Sequence, residues 1–309
     1  MLDVIIVGGG TAGLSAAIYL QRNALQCSVL ESTEFGGRIF PASAVENYPA
    51  MPGVTGADYS EKLRSQAKAL GAELKLQTVL AIEPNGDLWR VTTQNEVLTA
   101  EAIIYAAGEK QRLLDVPGEA EFLGRGVASC AACDGAFFRN KDVAVVGGGD
   151  KALDDALILS RLCTTVHLIH RRKEFRAAGG TVLQAKQMPN IIMHTNRIVT
   201  HIDGTRRVES IRLRSGEDKE EEKEERLAVS GVFVAIGSIP QTALCAGLVS
   251  LDEQGYIEAG EDCVTASPGL FVAGDVRSKP FRQLVTAAAD GAVAAKAATD
   301  YIMRKNRKT

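Results

Sequence analysis

Two stretches of the chain share one order of apolar, glycine and alanine positions. The first reads DVIIVGGGTAGLSAAIYL from Asp3, and the second reads DVAVVGGGDKALDDALIL from Asp142. In each stretch a short apolar run suits a buried strand, the glycines suit a tight turn, and the later apolar positions recur at helical spacing. Both stretches therefore predict a strand, a turn and a helix in succession.

Other apolar runs extend this alternation of strands and helices. CSVLES follows the first predicted helix as a strand that ends near Glu31, and further strands are predicted before Gly108 and in VSGVFVAIG. Strands that alternate with helices are typical of parallel sheets with helices packed on their faces. The pattern therefore predicts an α/β fold.

Length and composition limit the choice of class and partner. With 309 residues the chain can form two domains that each bury a core. Hydrophobic residues make up 46% of it and charged residues 24%, and the formal net charge is -3. This balance carries no signature of a polyanion-binding surface, so no nucleic-acid partner is expected.

The sequence also gives no membrane or export signal. No apolar run approaches the ~18 residues that cross a bilayer, and the opening MLDVIIVGGG lacks the basic start and cleavage site of an export signal. We therefore expect no membrane association and a cytoplasmic location. Thiols stay reduced in that compartment. Four of the six cysteines stand alone in the sequence, and a lone cysteine is usually a small buried apolar residue.

The first glycine turn has the features of a dinucleotide site. Gly8 allows the tight turn, Gly10 lets the backbone approach a pyrophosphate, and Gly13 lets the helix pack closely on the strand. The N-terminus of the helix attracts phosphates. Glu31 follows Gly8 by 23 residues, where a carboxylate can accept a hydrogen bond from a ribose hydroxyl.

The second glycine turn repeats the layout of the first. Gly147 and Gly149 occupy the first two positions, and Ala152 fills the third, where alanine is permitted. Two such turns predict two bound nucleotides.

Basic residues stand where the second turn should have its acid. Counting 23 residues from Gly147 reaches His170, and Arg171 and Arg172 follow it. A carboxylate there accepts from a free 2′-hydroxyl, whereas guanidinium groups pair with a 2′-phosphate. The second nucleotide is therefore predicted to be NADPH, with Arg176 completing the clamp.

Cys130 and Cys133 form a close pair in the motif CAACDG. A structural zinc needs about four ligands, and the sequence offers no second CxxC and no spaced histidine pair, so no metal site is expected. A redox dithiol is the better interpretation, because CxxC favours rapid disulfide exchange. Asp134 could carry protons for the sulfurs if its surroundings raise its pKa, or it could be an ordinary turn residue before glycine.

A flavin would connect the nucleotide sites with the dithiol. A nicotinamide delivers hydride as two electrons, whereas a disulfide opens by nucleophilic attack on sulfur, so a flavin is the natural intermediary. The predicted cofactors are therefore FAD at the first turn and NADPH at the second.

Motifs along nearly the whole chain resemble one known family. GGGTAG, FGGRIF, VENYP, YAAGEKQRLLDVPGE, CAACDGAFF, VVGGGD, HRRKEFRA, VFVAIGSIP, GLFVAGDV and RQLVTAAADG occur in this order. In these motifs the sequence resembles the low-molecular-weight thioredoxin reductases. The resemblance implies two Rossmann-like three-layer dinucleotide-binding domains, the second inserted into the first. Residues 1–112 and 243–309 would form the FAD domain, and residues 113–242 the NADPH domain with the redox disulfide.

The resemblance also implies an activity and an assembly. Reducing equivalents would pass from NADPH through FAD and the Cys130–Cys133 disulfide to oxidised thioredoxin. Family members are homodimers in which the inserted domain swings, so that either the nicotinamide or the dithiol faces the flavin.

Most site residues are expected from the motifs and the resemblance together. Those expected at FAD are Gly8, Gly10, Thr11, Ala12, Gly13, Glu31, Gly36, Gly37, Asn47, Gly108, Gly274, Asp275, Arg282 and Gln283. Those expected at NADPH are Gly147, Gly149, Asp150, Lys151, Ala152, His170, Arg171, Arg172, Arg176, Ile236 and Gly237. By resemblance, Asp275 bonds the ribityl chain, and Arg282 and Gln283 open a helix aimed at the isoalloxazine ring. Cys133 is the sulfur nearest the flavin, and Cys130 attacks the partner disulfide.

Some positions depart from the family pattern. Lys151 stands where serine or threonine is common, and Asp154 and Asp155 stand where glutamates are usual. Two alternatives therefore stay open. One is a related flavoprotein that uses ferredoxin or oxygen in place of NADPH, although such relatives tend to lack the arginine clamp. The other is a redox sensor without turnover.

Two segments near the motifs carry weaker expectations. Phe137 and Phe138 are apolar residues at the start of a predicted strand, where a thioredoxin contact and a core position are equally suitable. Residues 215–227, SGEDKEEEKEERL, predict an exposed hairpin tip.

Overall fold

The computed structural model describes residues 1–42, 44–215 and 224–307. The strands are β1 (Leu2–Val7), β2 (Cys27–Glu31), β3 (Glu73–Leu76), β4 (Val79–Asn85), β5 (Leu88–Thr93), β6 (Val97–Tyr105), β7 (Glu109–Gln111), β8 (Val127–Ala128), β9 (Asp142–Val146), β10 (Thr165–His170), β11 (Ile191–Thr195), β12 (Arg197–Gly204), β13 (Val208–Ser215), β14 (Glu225–Ala228), β15 (Gly231–Val234), β16 (Ser238–Pro240) and β17 (Leu270–Val272). The α-helices are α1 (Thr11–Arg22), α2 (Gly56–Ala69), α3 (Ala131–Asp134), α4 (Asp150–Ser160), α5 (Gly179–Gln187) and α6 (Leu284–Asn306). Single 3₁₀ turns occupy Gly37–Ile39, Gly135–Phe138, Ala243–Cys245 and Gly274–Val276.

The chain divides into two compact units, one interrupted by the other. The first contains residues 1–110 and 239–309, and the second contains residues 111–238. The sequence predicts crossings near Arg112 and Thr242, which follow β7 and β16, whereas the units divide at Lys110–Gln111 within β7 and at Ser238–Ile239 within β16. The assignment of FAD to the first unit and of NADPH to the second stays a prediction.

The first unit is built on a mixed sheet in the order β3-β2-β1-β6-β5-β4, with β17 paired to β6. Strands β3, β2, β1, β6 and β17 pair in parallel, whereas β4, β5 and β6 pair antiparallel. Both faces of β1 are covered, because Val4 and Ile6 lie in one apolar cluster and Ile5 and Val7 lie in another. A strand buried on both faces explains why this segment is apolar without alternation.

Helices α1 and α6 pack closely on one face of this sheet. Their contact surfaces are lined with alanines, among them Ala16 on α1 and Ala294 and Ala298 on α6, all fully buried. The approach is so close that a Cβ at Gly291 would lie 2.2 Å from the carbonyl oxygen of Ala12. Small residues on both helices therefore set the distance between the N-terminal and C-terminal segments of this unit.

The second unit repeats the plan with a parallel sheet in the order β11-β10-β9-β15-β8. Val143 and Val145 of β9 face a core shared with α4, whereas Ala144 and Val146 face a core shared with β12, β13 and β14. Those three strands form a separate antiparallel sheet. The predicted α/β class, with one unit inserted into the other, is confirmed.

The strand predicted at Phe137 and Phe138 is wrong, because these residues form a 3₁₀ turn after α3 and β9 begins only at Asp142. Strands β13 and β14 pair on either side of the predicted hairpin tip, but residues 216–223 lie outside the described residues. Within the described ranges, no helix is both long and apolar enough to cross a membrane.

Candidate active site

The first glycine turn leaves no room for side chains on its inner side. Gly8 has a φ of +109°, and a Cβ there would lie 2.3 Å from the carbonyl oxygen of Ala106. A Cβ at Gly13 would lie 1.9 Å from the carbonyl oxygen of Gly8. At Gly10, by contrast, the nearest atoms to a Cβ are 3.9 Å away, so the N-terminus of α1 is open on that side. This opening is where the backbone can approach a phosphate.

The middle glycine of this turn is a residue that the sequence analysis missed. A Cβ at Gly9 would lie 2.5 Å from the Phe35 ring and 2.9 Å from the Cβ of Glu31. The Gly9 N–H donates to Oε2 of Glu31 over 2.7 Å. The run of three consecutive glycines in the sequence could have revealed it. A third glycine at this position indicates that a side chain would not fit there. Glu31 is thereby fixed beside the turn, at the end of β2.

Loops distant in sequence surround the N-terminus of α1. Gly36 donates from its N–H to the carbonyl oxygen of Gly9 over 2.9 Å, and a Cβ at Gly37 would lie 3.3 Å from the Cα of Gly10. Gly274 comes equally close, because a Cβ there would lie 2.8 Å from the Cβ of Ala12. Thr11 and Ala12 are buried in the first turn of α1 itself. Gly108, with a φ of +67°, has open space around its Cβ position.

Asp275 follows Gly274 and carries a buried carboxyl oxygen. Its Oδ1 has no hydrogen-bond partner within the described residues, and the nearest cation, Nζ of Lys279, is 4.0 Å away. Burial raises the pKa of this carboxyl group, although Lys279 acts in the opposite direction. A buried acceptor without a donor is costly, so a hydroxyl-bearing ligand at this position would stabilise it. The site therefore fits the ribityl chain expected there.

Residues predicted at the start of the C-terminal helix come together. Gln283 is the N-cap of α6, where its side chain and that of Thr286 form a reciprocal capping box. Asn47 donates from Nδ2 to Oε1 of Gln283 over 2.9 Å, although the two residues are far apart in sequence. Arg282 stacks on Tyr256, with its guanidinium carbon 3.7 Å from the ring centroid. The N-terminus of α6 is therefore held in a fixed polar frame.

The second glycine turn reproduces the geometry of the first. A Cβ at Gly147 would lie 2.3 Å from the carbonyl oxygen of Ala235 and 2.7 Å from the Cβ of the buried Ala152. At Gly149, the N-cap of α4, no atom of the described part of the chain lies within 4 Å of a Cβ. Both turns thus combine a crowded first glycine with an open glycine at the helix N-terminus.

His170 packs against the second glycine turn at Gly148. It is the last residue of β10, buried, and a Cβ at Gly148 would lie 2.2 Å from its ring. The ring stacks on Phe175, and Nε2 lies 3.0 Å from the carbonyl oxygen of Glu174. His170 therefore supports the turn from inside the fold, and Gly148, like Gly9, was missed by the sequence analysis.

The basic loop after β10 is tied to the same turn by two hydrogen bonds. The Arg176 N–H donates to the carbonyl oxygen of Gly148 over 2.7 Å, and the Ala178 N–H donates to Oδ1 of Asp150 over 2.8 Å. Arg171 and Arg172 are exposed in this loop, as is Arg176. The loop therefore has an anchored backbone and three exposed arginine side chains.

Two further residues expected at the nucleotide lie after β15. Ile236 is partly buried against the core of this unit, and Gly237 has a φ of +103° that favours glycine. The carbonyl oxygen of Gly237 accepts from the Arg112 N–H over 3.0 Å. This segment borders the carboxyl end of the sheet, as nucleotide contacts in such folds do.

Cys130 and Cys133 are joined by a disulfide at the start of α3. Both residues are half-buried, whereas the four other cysteines are buried and free. Asp134 ends α3, and burial raises its pKa to about 6. The condition set by the sequence, a carboxyl group shifted toward neutrality beside the dithiol, is met. Among the described residues, no group of three or more His, Cys, Asp or Glu side chains could hold a metal ion.

The two phenylalanines after the dithiol have different surroundings. Phe138 packs edge-on against Phe233, with ring centroids 5.2 Å apart, and fills the space left by Gly231. Phe137 is 44% exposed. The core interpretation therefore applies to Phe138, and a partner contact stays a prediction for Phe137.

Two glycine turns with open helix N-termini and one disulfide define a dinucleotide-dependent disulfide oxidoreductase. The sequence model of the family described as "Pyridine nucleotide-disulphide oxidoreductase" matches residues 2–291. The chain belongs to this family, and its two dinucleotide-binding domains agree with the fold described above. Membership implies a pyridine nucleotide and a flavin as cofactors.

The particular relatives are thioredoxin reductases. The chain is 43% identical to thioredoxin reductase of Treponema pallidum (strain Nichols) over 305 residues, 97% of each chain. It is also 43% identical to thioredoxin reductase of Mycolicibacterium smegmatis over 294 residues, 94% of each chain. Among solved structures, thioredoxin reductase from Streptococcus pyogenes MGAS5005 matches with a TM-score of 0.93 at 34% identity, covering 98% of this chain and 99% of that one.

Proposed function

We propose that this protein is an NADPH-dependent thioredoxin reductase. It carries reducing equivalents from NADPH, through FAD, to the Cys130–Cys133 disulfide and on to oxidised thioredoxin. The observation that carries the proposal is the half-buried disulfide in the same compact unit as the second glycine turn. A sensor would need a disulfide but not two complete nucleotide turns.

The assignment of FAD to the first turn is supported by its polar frame. The open Gly10 would hold the pyrophosphate and the carboxylate of Glu31 the ribose. Oδ1 of Asp275, which has no hydrogen-bond partner among the described residues, would hold the ribityl hydroxyls. Bound there, a flavin supplies the step between two-electron hydride chemistry and sulfur chemistry. The frame formed by Asn47 and Gln283 would orient the N-terminus of α6 toward the ring.

The residues of the second unit then have separate tasks. Cys130 attacks the disulfide of thioredoxin, and Cys133 resolves the mixed disulfide, so that one disulfide forms as another is reduced. Asp134 exchanges protons with the sulfurs, since burial raises its pKa to about 6, close to neutrality. Phe137, exposed beside the dithiol, offers an apolar contact to the partner protein.

The choice of NADPH is supported by the anchored basic loop. Arg171, Arg172 and Arg176 lie on a loop bonded to Gly148 and Asp150 of the second turn, which supports a contact between their guanidinium groups and a 2′-phosphate. The test is an anaerobic titration with NADPH, NADH and reduced ferredoxin that follows bleaching of the flavin. NADPH should bleach it at the lowest concentration, and Arg171→Ala with Arg172→Ala should narrow its advantage over NADH. An unchanged preference would refute the clamp.

The role of the dithiol has its own test. Cys130→Ser should keep flavin reduction by NADPH and lose reduction of thioredoxin, whereas Cys163→Ser, which changes a buried free cysteine, should keep both. Turnover of thioredoxin by Cys130→Ser would show that the disulfide assignment is wrong.

Assembly and location are also proposals. We propose a homodimer, supported by exposed apolar side chains on the packed helices α1 and α6, among them Tyr19, Val285 and Met303. Light scattering should give twice the chain mass. We propose a reducing, cytoplasmic compartment, in keeping with four cysteines that stay unpaired in the fold.

A further inference from the structure

One buried carboxylate connects the nucleotide helix with the dithiol helix. Asp155, on the second turn of α4, is only 6% exposed. Its Oδ1 accepts from the N–H of Ala131 over 3.4 Å, and its Oδ2 accepts from Nζ of Lys151 over 2.7 Å. Ala131 follows Cys130 directly and begins α3. Lys151 lies in the first turn of α4, next to the open Gly149.

Apolar packing does not explain why a carboxylate lies at this buried position. Its neighbours on the buried face of α4 are Ala152, Ala156 and Leu159, which belong to the apolar core of the unit. Burial raises the pKa of Asp155 and Asp154 adds to the shift, while Lys151 and the Ala131 N–H oppose it. A buried carboxylate is costly unless it is paired, so Lys151 is what makes the ionised form tolerable.

The position of the charge matters for the sulfur chemistry. An ionised carboxylate that is hydrogen-bonded to the amide following Cys130 disfavours a thiolate at Cys130, because like charges in a partly buried site repel. The Lys151 ammonium offsets this repulsion. It also stands at a helix N-terminus, where an anionic ligand would attract it away from Asp155.

We infer that Asp155 is a positioning residue for the Cys130–Cys133 pair and that Lys151 is its counter-ion, shared with the nucleotide site. The inference deepens the proposed function and rests on it only for the identity of the nucleotide. Through this pair the charge at the nucleotide turn sets the reactivity of Cys130. By linkage, an anion that engages Lys151 makes the Cys130 thiolate less stable.

The test measures thiol reactivity and not turnover. In a Cys133→Ser background, which leaves Cys130 as the one half-buried thiol, the FAD-loaded protein is alkylated with iodoacetamide over a range of pH and Cys130 is followed by mass spectrometry. Lys151→Gln should move the midpoint of the profile to higher pH and slow alkylation at pH 7 by about threefold or more. Asp155→Asn keeps an acceptor for Ala131, removes the charge, and should move the midpoint to lower pH.

Two controls separate charge from general disruption. Lys151→Gln should have no further effect in the Asp155→Asn background, because Lys151 acts through that carboxylate. Lys186→Gln, an exposed lysine of α5 in the same unit, should leave the midpoint in place. Addition of NADP⁺ should raise the midpoint with Lys151 present and leave it unmoved in Lys151→Gln.

Failure of this inference can be distinguished from failure of the proposed function. Shifts of the same sign in Lys151→Gln and Asp155→Asn, or a Lys151→Gln shift that persists without the Asp155 charge, would overturn the inference. Failure of NADPH to bleach the flavin would instead overturn the proposed function, and it would leave the alkylation results unaffected.

Discussion

Asp134 follows the dithiol directly in the CAACDG motif, and the fold shifts the pKa of its carboxyl group. Burial raises its pKa to about 6, so the carboxyl group exchanges protons close to neutrality. The protonated form prevails below that value and is lost as pH rises through it. A thiolate that departs during disulfide exchange at this pair therefore finds a proton donor nearby at mildly acidic to neutral pH.

This residue supports a first prediction. Asp134→Asn should lower kcat for thioredoxin reduction by about 10²-fold and remove the component of the pH profile centred near pH 6. Steady-state kinetics between pH 5 and pH 9 would measure both. Asp115→Asn is a matched control, because Asp115 is exposed with a φ of 57° that asparagine also adopts. Equal pH profiles in the wild type and in Asp134→Asn would contradict the role of Asp134.

Asp290 anchors the loop that carries Asp275. It accepts from the Gly274 N–H over 3.0 Å, from Nη2 of Arg277 over 3.0 Å and from Nζ of Lys279 over 2.9 Å. The side chains of Arg277 and Lys279 are only 3% and 4% exposed. Although burial alone would raise the pKa of Asp290, these hydrogen bonds hold it below its usual range.

Removal of that charge should therefore be costly. Asp290→Asn removes the nearest anion of two buried cations, and we expect the free energy of unfolding to fall by about 3–5 kcal/mol. Urea unfolding at pH 7 would measure it. Asp300→Asn, in an exposed pair with Lys296, should cost under about 1 kcal/mol. Equal losses in the two variants would show that the buried network contributes little.

At the scale of elements, two neighbouring strands share a pair of histidines. Nδ1 of His167 on β10 lies 3.0 Å from Nε2 of His194 on β11. Burial, and then the neighbouring His194, lower the pKa of His167, and burial also lowers the pKa of His194. Protons therefore bind these residues more readily in the unfolded chain than in the folded one. Stability should be fully present above the unfolded value near 6.5 and decrease as pH falls below it.

The matching variant isolates this contribution. His194→Gln keeps a side-chain amide near His167 but removes one titrating group, so the loss of melting temperature between pH 7.5 and pH 5.5 should be smaller than in the wild type. His201→Gln, which changes a partly exposed histidine on β12, serves as the control. Scanning calorimetry would measure the melting temperatures. An unchanged pH dependence in His194→Gln would contradict the prediction.

At the scale of the whole molecule, each compact unit has its own core. The inserted unit covers both faces of its parallel sheet, with α4 on one side and strands β12 to β14 on the other. We predict that residues 111–238, produced alone, unfold cooperatively in urea and bind NADP⁺. Circular dichroism and calorimetry would measure this. A gradual transition without NADP⁺ binding would show that the unit depends on the rest of the chain.

The sequence was most informative where chemistry requires a local pattern. The glycine turns, the strand before each of them and the dithiol are contiguous motifs, because a tight turn at a helix N-terminus needs its glycines at fixed spacing. The α/β class followed from the alternation of strands and helices. The strand expected at Phe137 and Phe138 was wrong, because two apolar residues alone do not distinguish a strand from a turn that packs on Phe233.

Long-range contacts were decided by the tertiary structure. The sequence by itself determined the class of fold, the two nucleotide turns and the redox pair, since each depends on residues close together in the chain. Only the folded chain placed Asn47 beside Gln283, buried His170 behind Gly148 and brought Asp155 to the amide after Cys130. The physical reason is that burial and hydrogen bonding between distant segments depend on how helices and sheets pack, which no local pattern encodes.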